Sequence, residues 1–120
     1  MITLELPIPP RTLQPNGRAH WRVKYKQSEI AKSAAYWTTR EQAPRNPFAD
    51  GTLCIRYTYY PPPRGKYLDD DNLIGAMKYY RDGIANALDI NDKRFITYPV
   101  ERGARDGRGR VVVEIWQEGK

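Results

Sequence analysis

The sequence predicts a small α/β (α+β) domain, a mixed sheet in β-α-β-α-β-β order with two helices packed on it. Three observations carry this. Strand-like runs rich in alternating, β-branched or aromatic residues stand at 2–6, 52–60, 95–100 and 110–117. Two longer runs, near 26–41 and 72–88, repeat apolar residues at spacings of three and four, as a helix with one buried face does. Pro, Gly, Asn and Asp cluster between the runs, where turns belong. At 120 residues, positions 1–120 suffice for one modest core and not for two.

The elements follow in order. Residues 2–6, Ile-Thr-Leu-Glu-Leu, alternate with period two, and Pro7, Pro9 and Pro10 end the strand. The next stretch, with Pro15-Asn16-Gly17 and the cations Arg11, Arg18 and Arg22, reads as an exposed loop that also holds His20 and Trp21. Residues 26–41 lack Pro and Gly; Ser28 is a candidate cap, and Ile30, Ala31, Ala34, Ala35, Tyr36 and Trp37 are the candidate buried stripe. In the second strand Leu53, Ile55, Tyr57 and Tyr59 fall on one face. The helix near 72–88 buries Leu73, Ala76, Tyr80, Ile84, Ala87 and Leu88. A strand at 95–100, a basic glycine-rich hairpin tip at 103–109 and a last strand at 110–117 complete the domain.

Composition excludes several classes. No apolar run is long enough to span a membrane, and the first residues lack the pattern of a signal peptide, so a cytoplasmic protein is expected. The single cysteine, Cys54, cannot form an internal disulfide and reads as a small buried side chain. One His and one Cys make no zinc site, no glycine loop cradles a phosphate before a lysine, and no serine stands in a nucleophile elbow. Twenty Lys and Arg against fourteen Asp and Glu give a net charge of +6, which favours a polyanionic partner.

Against that background Asp69-Asp70-Asp71 is out of character. Three adjacent carboxylates at a helix start are explained either by the helix dipole, which favours negative charge there, or by a divalent cation. Successive helical residues turn by about 100°, so Asp69 and Asp71 converge only if the helix begins at or after Asp71. Beyond it, Gly75, Lys78 and Asp82 come round to the same face, where Asp82 is also placed to pair with Lys78. Asp92 follows the helix and returns to the site if the next strand lies beside the strand before the helix. Two or three carboxylates with water and a substrate phosphate suit Mg²⁺, and the matching chemistry is phosphodiester hydrolysis.

With Leu6-Pro7-Ile8-Pro9-Pro10 and Asn16 near the start, Asp69-Asp70-Asp71-Asn72-Leu73 in the middle and Ile90-Asn91-Asp92 before a strand, the chain resembles the RusA family of Holliday junction resolvases over nearly its whole length. The resemblance implies a homodimeric, Mg²⁺-dependent endodeoxyribonuclease, Mn²⁺ serving as a substitute, that nicks opposing strands of four-way DNA and leaves 5′-phosphate ends. It implies a single RusA-like domain and no organic cofactor. It assigns Asp69, Asp71 and Asp92 as catalytic metal ligands, with Asp70 as a spacer. The family's lysine stands four residues after the second aspartate, where this chain has Gly75; Lys78, one further turn along, is the replacement the resemblance suggests.

The candidate DNA contacts are Arg11, Arg18, Arg22, Lys24, Arg64, Lys66, Arg102, Arg105 and Arg108. Two alternatives stay open: a nuclease acting on flaps and other branches, and a junction-binding protein whose catalysis is weakened or lost, for which Gly75 is the best argument.

Overall fold

The computed structural model describes residues 1–9, 21–45, 47–63, 70–105 and 107–119, the side chains of 70–74 excepted. Strand β1 (Ile2–Leu6) is followed by α1 (Trp21–Gln42), β2 (Leu53–Tyr60), α2 (Asp70–Leu88), a 3-10 turn (Asp92–Arg94), β3 (Phe95–Thr97), β4 (Glu101–Arg102) and β5 (Arg110–Gln117). The sheet runs in the order β1-β5-β2-β3, with β4 also on β2. It is mixed: β5 is antiparallel to β1 and β2, whereas β3 and β4 are parallel to β2.

Register turns the alternating sequence into a core. Leu4, Val113 and Tyr57 stand side by side across three strands, as do Leu6, Val111 and Tyr59, and all six are buried. Each fully buried apolar side chain of this size contributes roughly 1.5–3 kcal/mol. Residues one position off point the other way, where Arg56 meets its cross-strand neighbour Glu114 at 2.9 Å and lies 5.4 Å from the Trp116 ring. Cys54 is a free, buried thiol, as expected.

Helix α2 buries Ala76, Tyr80, Ile84, Ala87 and Leu88 as the pattern predicts, together with Met77 and Ala85, while the Leu73 side chain lies outside the described residues. It stops at Asp89, whose left-handed φ of 57° lets Ile90 N–H reach back to the Ala85 carbonyl at 3.1 Å. The Tyr80 hydroxyl donates to the Pro7 carbonyl, tying α2 to the segment after β1.

Helix α1 departs from expectation. It starts at Trp21, five residues before the expected 26, because nothing between Trp21 and Tyr25 breaks a helix. Ser28 is therefore no cap; its hydroxyl donates to the Tyr25 carbonyl inside the helix at 2.7 Å. The buried face is Ser28, Ala31, Ala35 and Thr39, while Ile30 and Trp37 are 51% and 62% exposed. Small residues win this face because α2 comes very close: a Cβ added at Gly83 would lie 2.2 Å from the Lys32 carbonyl oxygen.

The expected strand at 95–100 is divided. Pro99 has no N–H to give a ladder, so β3 ends at Thr97 and pairing resumes in β4. Between them Tyr98 N–H still donates to the Ile55 carbonyl, and beyond them Gly103 N–H donates to Tyr59.

Candidate active site and nucleic-acid interface

Because β1 and β2 are both antiparallel to β5, they are parallel to each other. Both are followed by helices that must run back along the sheet, so α1 and α2 start at the carboxyl ends of β1 and β2. This is the end at which open α/β sheets place ligands. Trp21, Arg22 and Lys24 open α1 there, and Asp70 and Asp71 open α2. The same end receives Arg102, opposite Tyr59, and Arg110, opposite Tyr60.

Three arginines at that end have visible anchors. Arg105 donates to the Pro62 carbonyl, Arg108 is paired with Glu5, and Arg110 lies 3.6 Å from the same carboxylate and 4.0 Å from the centre of the Tyr60 ring. Glu5 thus fixes two cations beside the edge of the sheet. Of the other sequence-derived DNA contacts, Arg11, Arg18, Arg64 and Lys66 lie outside the described residues, as do Asp69 and His20.

Asp71 and Asp92 belong to opposite ends of α2. Helix α2 begins at Asp70, so Asp71 is a first-turn residue. The strand after α2 does lie beside the strand before it, as the return of Asp92 requires, but the pairing is parallel, with Phe95 opposite Leu53. Asp92 therefore sits at the amino end of β2, and from Asp71 the helix runs 17 residues to Leu88, about 25 Å, before the chain reaches it. There Asp92 is half-buried and lines a groove of about 370 Å³ with Lys32, Asp82, Asn86 and Ile90. Asn91 does a local task, its side chain accepting from Lys93 N–H at 2.9 Å.

Lys78 is exposed, and among the described residues no ion pair joins it to Asp82. It lines a pocket of about 220 Å³ with Tyr57, Gly75, Arg81, Thr97 and Val100. Lys78 and Asp82 thus open onto different grooves, one toward β2 and β3 and one toward α1. Sequence reasoning missed the companions of Lys78. Arg81 donates to the Thr97 hydroxyl at 3.4 Å, and its buried Nε and the buried Tyr57 hydroxyl have no hydrogen-bond partner. Burial pushes the Tyr57 hydroxyl pKa up. An arginine one turn after a lysine on a helix is the signal for this pair, but it leaves the face unspecified.

Among the described residues no three His, Cys, Asp or Glu side chains come together; Asp69 and the Asp71 side chain lie outside that set. No described helix is long and apolar enough to cross a membrane.

No family model matches the chain. It is 37% identical over 117 residues to an uncharacterized protein of Xylella fastidiosa strain Temecula1, across 96% of this chain and 76% of that one. The chain belongs to the same family as that protein. An alignment of this span takes in both helix starts, the basic stretch at 102–110 and the turn that carries Asp92.

Proposed function

We propose that this protein is a Mg²⁺-dependent, structure-selective endodeoxyribonuclease of the cytoplasm that resolves four-way DNA junctions as a homodimer. The observation that carries the reading is the gathering at one end of the sheet: the aspartate-bearing start of α2, the basic start of α1, and Arg102, Arg105 and Arg108. A helix amino terminus stabilises the carboxylates there, and the surrounding cations hold DNA phosphates beside them.

The donor chemistry fits the ion, since carboxylates are the hard oxygen ligands Mg²⁺ takes. When bound, Mg²⁺ supplies a Lewis acid that lowers the pKa of water and offsets charge on the phosphate. Asp69 and Asp71 would hold it from one chain. Asp92 follows the far end of α2 from Asp71, so on this reading its counterpart in a second copy would be the third carboxylate. Lys78, exposed on α2 two turns from Asp71, neutralises a phosphate oxygen as water adds to phosphorus and the 3′ oxygen leaves with a proton.

The test is nicking of a synthetic four-way junction in Mg²⁺. Asp71→Asn and Asp92→Asn chains are each expected to lose activity at least a hundredfold, and mixing the two to restore nicking, because half of the sites in mixed dimers then hold both wild-type carboxylates. If Asp71 and Asp92 of one chain shared a site, mixing would restore nothing. Flap and linear duplex substrates of equal length separate junction preference from general branch cutting.

A second reading is favoured by Gly75 and by the distance of Asp92: a junction-binding protein with weakened catalysis. It calls for tight junction binding without nicks in either Mg²⁺ or Mn²⁺.

A further inference from the structure

The first two turns of α1 carry a feature that hydrolysis leaves unused. Trp21 and Tyr25 are 66% and 65% exposed, and four residues apart they stand about 40° from each other on the helix, one turn above the other. Arg22 sits 5.3 Å from the Trp21 ring centre. Lys24 and Lys26 continue the run, and the first turn contains no acidic residue. The absence extends beyond the helix: between Glu5 and Glu29 the sequence has no Asp or Glu, but has Arg11, Arg18, Arg22, Lys24 and Lys26. The positive end of a helix disfavours cations, so this placement works against the helix itself.

Large aromatic rings kept in water beside cations describe one kind of ligand well. A nucleobase released from its partner offers a flat face to an indole or phenol, and its neighbouring phosphates offer charge to lysine and arginine. A paired base inside a duplex offers no such face. Docking of a second copy here is disfavoured by like charge, and the apolar stripe of α1 lies elsewhere: Val23, Ile30 and Trp37, seven residues apart, fall on a side turned roughly 140° or more from the Trp21–Tyr25 pair.

We propose that the first two turns of α1 form a stacking platform for unpaired nucleotides, Trp21 and Tyr25 taking bases and Arg22, Lys24 and Lys26 the flanking phosphates. The proposal shares with the nuclease reading only the expectation of DNA and requires neither the metal nor Asp71. In a junction the platform would hold bases that open at the branch point.

The test measures binding of the full chain to a labelled twelve-nucleotide oligothymidylate and to a duplex of the same length by fluorescence anisotropy in EDTA, where no hydrolysis proceeds. The single strand is expected to bind more tightly. Trp21→Ala and Tyr25→Ala should each weaken it about tenfold, the order expected for one stacked base, and leave duplex affinity within about twofold. Trp21→Phe should keep most of the affinity, and Lys26→Gln should lower the slope of log affinity against log salt by about 0.7. Circular dichroism melts of all variants are expected to match the parent, because both rings are exposed. Equal losses on single strand and duplex, or no loss on either, would overturn the platform. Junction nicking in Mg²⁺ is scored separately, so nuclease failure leaves this result standing and the reverse also holds.

Discussion

Gly83→Ala tests the contact that aligns the two helices. A Cβ at this position would meet the Lys32 carbonyl oxygen at 2.2 Å, and the Lys32 carbonyl carbon and Ala35 Cβ at 3.0 Å each. Ordinary carbon–oxygen contacts lie more than an ångström farther out, so α1 and α2 must separate by about 1 Å. The obstacle is backbone, which cannot swing aside as a long side chain would, and this places the cost near the top of the roughly 1–3 kcal/mol range for overpacking. Alanine returns about 1 kcal/mol through its better helix propensity. The net expectation is a loss of about 2 kcal/mol and, for a chain this long, a melting temperature lower by about 8 °C. Thermal unfolding followed by circular dichroism, with a urea titration for the midpoint, reads both. Adding Ala35→Gly should recover nothing, because it removes the 3.0 Å contact and leaves the 2.2 Å one. A melting temperature equal to or above the parent's would refute the close approach.

Two further outcomes follow from the same packing. Tyr57→Phe removes a buried hydroxyl that has no partner and should stabilise the fold by about 1 kcal/mol in urea titrations; a loss of that size would show the hydroxyl to be satisfied in solution. Burial raises the pKa of the Tyr57 and Tyr80 hydroxyls above their unfolded value near 10, so the unfolded chain loses these protons first. Their contribution is intact below about pH 10 and declines above it by about 1.4 kcal/mol per pH unit for each tyrosine; the phenylalanine variant should show the shallower alkaline decline. Asp89→Gly relieves a left-handed residue at the end of α2 and should gain about 0.5 kcal/mol, whereas Asp89→Ala, at the same φ, should not.

Much of the fold is legible in the sequence because period and backbone agree. The alternation in 53–60 and 110–117 survives as rows of buried side chains, and the apolar stripe of α2 from Ala76 to Leu88 is buried as its spacing predicts. Helix α1 misleads for a physical reason: its bulkiest apolar residues repeat every seven positions on the outer side, and the face that packs is made of Ala, Ser and Thr, which hydropathy barely registers. Pro99 stands within an otherwise strand-like run, and its missing N–H is enough to divide it. The candidate site is legible in its parts and not in its assembly. Motif spacing nominates Asp71 and Asp92 together, but sequence adjacency does not encode whether β3 pairs parallel or antiparallel to β2, and that one fact decides which end of the sheet Asp92 occupies.

The same fact constrains any chemistry at this end of the sheet. Carboxylates at the start of α2 benefit from the helix dipole, yet they would repel any DNA that the neighbouring arginines attracted. A basic surface with an acidic centre binds a polyanion well only if something positive sits between the two negative groups. On the proposed reading, a divalent cation held by Asp69 and Asp71 would resolve the conflict, and DNA affinity at this end would then depend on the metal. Binding at the start of α1, whose first turn has no acidic residue, would carry no such dependence. If both proposals hold, EDTA should weaken junction binding and leave oligothymidylate binding at the start of α1 unchanged.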